Sequence, residues 1–216
     1  GKDYIRQQVE GSLKRLQTDY IDLYQSHYDD PETRIEETLE AYSKLIQEGK
    51  VRAIGASNFS GERLEQALKA SEKNNLARYE SFQPEYNLYD RETYEKEIEP
   101  VCTQYGLGVI NYYALASGFL TGKYRSEADL GQSPRGGVKN YLNERGFRIL
   151  QALDDVAEQY SSTPASVSLA WLMARPSITA PIASATKTTQ LEDLVKAANL
   201  RLDQAAIKKL DEASAY

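Results

Sequence analysis

The sequence predicts an α/β protein in which helices cover a parallel sheet. Short apolar, β-rich runs alternate with segments of helical periodicity along the chain. The first four such runs begin about every 28 residues, the size of one strand–helix unit. Each run also ends in polar or aromatic residues, which places a row of functional groups at the strand ends.

The N-terminal stretch "GKDYIRQQVEGSLKRL" reads as a helix, with Ile5, Val9, Leu13 and Leu16 at helical spacing. It lacks the apolar central region of a signal peptide. "DYIDLYQSH" is the first strand. A helix follows over 31–49, with Pro31 in its first turn, Gly49 at its C-terminal cap and Ile35, Leu39, Tyr42, Leu45 and Ile46 on its apolar face. "VRAIGAS" is the second strand, and Ser60 caps the helix that carries Leu64, Ala67 and Leu68. "YESFQPEYN" is the third strand. "RETYEKEIEPVCTQYG" is the next helix, with Tyr94, Ile98, Val101 and Tyr105 along one side. "LGVINYYALA" is the fourth strand and "SITAPIASA" the fifth.

Between those last two strands the interval more than doubles. It holds a polar, glycine-rich stretch, "YRSEADLGQSPRGGVKNYLNERG", whose 127–140 portion is expected to be a mobile surface loop. Two helices come after it, one over 144–160 and one that starts at Pro164 with Thr163 as its cap. A helix near Gln190 and a last one capped by Asp203 complete the chain.

The 216 residues suit one domain, 1–216, with a substantial core. A net charge of −6 without a basic block argues against nucleic-acid and anionic-membrane partners, and nothing here limits self-association. The sole cysteine, Cys102, excludes an intrachain disulfide and suits a reducing cytoplasm, the expected location. No apolar run approaches the roughly 18 residues of a membrane span.

The strand ends carry the chemistry. They present His27, then Ser57 and Asn58, then Gln83, then Tyr112, and finally Ser184, Thr186, Lys187 and Gln190. Singly, each has an ordinary reading: His27 as a polar strand exit, Ser57 and Asn58 as helix caps, Tyr112 as one of 16 tyrosines. Together they fit an amide-bearing planar ring beside a reacting carbonyl. Ser, Asn and Gln side chains hold a carboxamide, an aromatic face stacks on the ring, and a neutral imidazole hydrogen-bonds to an oxygen as charge develops there. Phosphates belong near the final strand, where a helix N-terminus offers N–H groups and Lys187 adds charge. No G-x-G-x-x-G follows any strand, so a Rossmann reading has no support.

"RLQTDYIDLYQSHYDD", "EGKVRAIGASNFS", "QPEYNLYDR" and "YYALASGFLTGKY" resemble, in order and spacing, consecutive signature blocks of the aldo-keto reductases. The resemblance runs over essentially the whole chain and is closest to the bacterial branch related to potassium-channel β subunits. It implies a (β/α)₈ TIM barrel, of which about five β/α units are visible in this chain. It also implies NADP(H) as cofactor, with NAD(H) the second choice, and reduction of small aldehydes or ketones to alcohols. His27 would be the catalytic histidine that orients the carbonyl. Ser57, Asn58 and Gln83 would hold the nicotinamide carboxamide, with Tyr112 stacked on its ring. Ser184, Thr186, Lys187 and Gln190 fall in the segment for the adenosine phosphates.

Two departures bear on the cofactor. Asp193 and Leu194 stand where members often have Glu-Asn for the adenine, and Gln190 replaces the 2′-phosphate arginine of many members. A complete member also begins with three more strand–helix units, which carry the catalytic aspartate, the acid tyrosine and its lysine. The chain by itself is therefore expected to be incomplete and inactive. The alternative, by the same resemblance, is a non-catalytic nicotinamide-nucleotide-binding module like the channel β subunits. His27 argues against it, since those proteins carry asparagine at that place.

Overall fold

Residues 1–131 and 137–216 are described in the computed structural model of the protein. They form two compact units. One comprises Gly1–Pro84 and Lys96–Val109, the other Glu85–Glu95 and Ile110–Tyr216.

The first unit holds the sheet. Helix α1 (Lys2–Leu16) leads into β1 (Ile21–Ser26), α2 (Ile35–Gln47), β2 (Val51–Ser57), α3 (Gly61–Asn74), β3 (Tyr79–Gln83), α4 (Glu99–Tyr105) and β4 (Gly108–Val109). The strands pair in parallel in chain order, β1-β2-β3-β4. Period-2 geometry sends alternate side chains to opposite faces. Ile54 and Ala56 of β2 are wholly buried, as are Leu39, Leu45 and Leu64 from α2 and α3. Cys102 is buried too, and burial pushes its thiol up to about 12, with the Glu99 carboxylate adding to the effect.

Ser60 caps α3 through the Arg63 N–H at 3.2 Å. Helix α2, however, begins at Ile35 rather than Pro31. Turn chemistry overrides helix propensity here. Asp30 closes a turn onto Thr33, accepting the Thr33 N–H at its carbonyl (3.1 Å) and the Thr33 hydroxyl at its carboxylate (2.6 Å). Pro31 thereby takes the second position of a β-turn, which its fixed φ suits equally well. Gly49 follows the last turn with φ 73°, a value that glycine adopts freely.

The second unit is mainly helical: α5 (Glu144–Gln159), α6 (Pro164–Met173), α7 (Thr188–Asn199) and α8 (Gln204–Ala213). Helix α6 packs on α5 and α7, and α5 packs on α8. Asn143, Thr163 and Asp203 cap α5, α6 and α8 with side-chain oxygens. At the centre lies Trp171, fully buried. Its ring is 5.6 Å from that of Tyr86, its Nε1–H donates to Asp211 at 2.9 Å, and Arg175 lies 4.9 Å from its centroid. Beside it, Arg91 and Arg175 converge on Glu95 at 2.7 and 3.2 Å.

The fifth predicted strand, "SITAPIASA", is not a strand. Its Ile182 N–H donates to the Asn111 carbonyl at 2.9 Å, but no strand forms. Pro181 has no N–H to extend a ladder in that direction. The fourth run likewise forms a ladder only over Gly108–Val109 before an isolated bridge joins Glu85 to Tyr112. Of the expected 127–140 loop, residues 132–136 lie outside the described residues. Its flanks form short 3₁₀ turns at Glu127–Asp129 and Val138–Tyr141, the first closed by a capping box between Ser126 and Asp129.

Candidate functional site

In the first unit, parallel pairing brings three predicted residues to one end of the sheet. Ser57 and Gln83 are the last residues of β2 and β3 and stand in register. His27 directly follows β1. The Ser57 hydroxyl donates to the Gln83 carbonyl at 2.7 Å. Asn58 adopts φ 56°, a left-handed conformation that asparagine tolerates better than most residues. Its amide NH₂ donates to the His27 carbonyl at 2.9 Å and to the Ser57 hydroxyl at 3.1 Å. Asn58 thus ties β1 to β2 at the level of the candidate site. His27 is exposed, and its imidazole lies 4.4 Å from the Tyr28 ring.

Behind this rim the sheet carries a row that sequence reasoning did not single out. Gln25, Gly55 and Ser81 lie side by side in register. A Cβ on Gly55 would meet the Ser81 Oγ at 2.3 Å and the Gln25 side chain at 3.1 Å. Glycine is therefore required for these two polar side chains to close over β2. A cavity of 440 Å³ opens beside His27, lined by Tyr28, Tyr42, Phe59 and Tyr79 among others. Ser26 bridges the Tyr42 and Tyr79 hydroxyls at 2.7 and 3.2 Å, and burial raises both phenol pKa values.

The second unit gathers other candidates. Ser184, Thr186 and Gln190 line a cavity of 570 Å³ together with Lys123, Asp193 and Leu194. Lys187 is the N-cap residue of α7, beside this cavity in sequence but not among its walls. The Gln190 side-chain oxygen Oε1 accepts the Thr186 N–H at 2.9 Å and the Thr186 hydroxyl at 3.2 Å, so it closes the turn into α7. Tyr112 packs edge-on against Tyr113 at 5.2 Å and pairs through its backbone with Glu85. Burial, and then the Asp90 carboxylate, raises the pKa of Glu85.

Lys123 is the cavity residue that residue-level reasoning missed. Its ammonium lies 5.0 Å from the Tyr124 ring centroid and close to Gly118, whose φ of 93° and missing side chain leave room for it. The available signal was the pair of glycines that precede it in "SGFLTGK". A cavity of this size, with one ammonium, hydroxyls and the backbone N–H groups of a helix start, suits the phosphates of a dinucleotide. Among the described residues no group of three or more His, Cys, Asp or Glu side chains could hold a metal ion, and no helix is long and apolar enough to cross a membrane.

The model of the Aldo/keto reductase family matches residues 1–215. An uncharacterized oxidoreductase of Bacillus subtilis, YrpG, is 38% identical over 96% of this chain and 63% of its own length. A putative voltage-gated potassium channel subunit beta of Schizosaccharomyces pombe is 32% identical over 98% of this chain and 64% of its own length. Among solved structures, the thermostable aldo-keto reductase Tm1743 superposes with a TM-score of 0.79 at 28% identity, covering 98% of this chain and 66% of that one. The chain thus spans a little under two-thirds of the length of these relatives. The chain belongs to the aldo/keto reductase family.

Proposed function

We propose that this chain is part of an NADP(H)-dependent oxidoreductase that reduces small aldehydes or ketones to alcohols. The observation that carries the reading is the 570 Å³ cavity in which Lys123, Ser184, Thr186 and Gln190 meet. It suits a phosphate-bearing cofactor, and in the first unit Ser57, Asn58 and Gln83 have the chemistry to hold a carboxamide. When bound, that cofactor supplies a hydride. This chain's own residues bind and orient. Ser57 and Gln83 hold the carboxamide; ring stacking is assigned to Tyr112 by the family resemblance. His27 presents its imidazole to the carbonyl oxygen and steadies it as charge develops. Asn58 donates its NH₂ to the His27 carbonyl and the Ser57 hydroxyl, and so holds the ends of β1 and β2 together beside the carboxamide-holding groups. Gln190 offers no positive charge to a 2′-phosphate, so the NADP(H) preference draws on Lys123 and on the family.

Fluorescence titration with NADPH tests the assignment. Tyr112→Ala is expected to weaken binding by about 1–3 kcal/mol, the magnitude of aromatic stacking on a base. Lys123→Met is expected to lose about 1.5–3 kcal/mol, the worth of a hydrogen bond to a charged group. Dissociation constants unchanged in both variants would remove the cofactor reading.

A further inference from the structure

We propose that Arg63 and Asp29 act as a positioning pair for His27, holding the loop that follows β1 so that the imidazole is presented at the strand end. The inference rests on the reading of His27 as the carbonyl-facing residue.

The ring of His27 makes no hydrogen bond among the described residues and leans only on the exposed Tyr28 ring. Its place is therefore set by its backbone. Each residue beyond the ladder has two soft dihedrals, so a loop tethered at one point leaves the side chain free to swing. Here the loop is tethered at two. Asn58 holds the His27 carbonyl at 2.9 Å. Two residues on, Arg63 Nε donates to Asp29 Oδ2 at 2.9 Å, with both side chains about three-quarters buried. The same guanidinium extends Nη2 toward the Thr33 and Asp30 carbonyls at 3.4 and 3.5 Å, the two ends of the turn around Pro31. A planar guanidinium can span these groups, whereas a lysine ammonium is a single point charge.

Arg63 is itself fixed. It is the third residue of α3, and its N–H is the one that Ser60 caps. A capping box would place Glu or Gln there, to reach back to the cap residue. Arginine instead turns to the neighbouring loop. The sequence thus gives up one local helix-end contact for a tether across 34 residues of chain.

The experiment uses the 216-residue protein labelled with ¹⁵N-histidine. Because His27 is the sole histidine, the imidazole spectrum contains one residue. Arg63→Met and Asp29→Asn are each expected to shift or split the His27 ring signals. The charge-exchanged double variant, Arg63→Asp with Asp29→Arg, is expected to return a single set near the original position. Backbone amide signals of α2 and α3 serve as the check that the variants fold. Ring signals unmoved by both single substitutions would overturn the proposal, as would shifts that the exchanged pair fails to reverse. No cofactor or substrate is present in this measurement. Failure of NADPH to bind the unaltered chain would therefore count against the cofactor reading and leave the tether standing. A rise of about tenfold or more in the NADPH dissociation constant of Asp29→Asn would show that the pair does not act through His27 alone.

Discussion

Trp171→Ala is expected to destabilise the second unit by about 3–5 kcal/mol, the usual cost of truncating a buried aromatic side chain. Trp171 is 0% exposed and the largest of the wholly buried side chains. Three losses coincide on truncation. The void would sit against Tyr86, Asp211 would lose its indole donor, and Arg91 and Arg175 would lose the ring they flank at 5.4 and 4.9 Å. Buried cationic neighbours sharpen the effect, because a guanidinium over an aromatic face is partly compensated by that face. Thermal melting followed by circular dichroism should show a drop of roughly 10 °C or more. A loss under about 1 kcal/mol would mean that this core does not organise around the indole.

Glu95 carries the second large effect. Its side chain is 12% exposed and accepts from Arg91, Tyr86, Arg175 and Tyr216 at 2.7–3.2 Å. Removing it leaves the Arg91 guanidinium buried without its main partner, so Glu95→Ala is expected to cost about 3 kcal/mol. The pH dependence follows from its carboxyl. Burial alone would raise the Glu95 pKa, but hydrogen bonds from Arg91 and Tyr86 and the charges of Arg91 and Arg175 outweigh it and hold the pKa below the ordinary value. A depressed carboxylate stabilises the folded state above its unfolded pKa of about 4.3, and that contribution fades as pH falls through the folded value. In urea unfolding the gap between the unaltered chain and Glu95→Gln should therefore be widest near neutral pH and should narrow below about pH 4. A gap that stays constant from pH 6 to pH 3 would show that the network contributes nothing through this charge.

What could be read from the sequence followed how local each cause was. The first three strands and the caps Ser60, Thr163 and Asp203 rest on alternation and on side chains that bond within three residues, so the sequence carries them openly. The start of α2 was misplaced because Pro31 fits a first helical turn and a β-turn alike, and only the Asp30–Thr33 bonds decide between them. "SITAPIASA" has the composition of a strand, yet strand formation depends on neighbours that composition does not encode. The helix expected over 91–106 is also not uniform. A π turn at Tyr94–Ile98 precedes α4, in which Pro100 cannot donate a helical hydrogen bond. In the candidate site, polar groups at strand ends were legible as a row. The role of Lys123 was not, since it arises from a left-handed turn at Gly118 and from walls supplied by residues some 60 positions away.

The buried Cys102 thiol and the buried Trp171 indole have a practical corollary. The chain contains one cysteine and one tryptophan, and they fall in different units. A thiol this protected, with its pKa near 12, is almost entirely in its unreactive form at neutral pH and meets an alkylating reagent only when the surrounding structure opens. Indole emission responds to the opening of the other unit. The molecule thus carries two built-in clocks. Timed alkylation read by mass, run beside fluorescence decay in the same denaturant, would reveal whether its halves come apart together or in turn, with no added label.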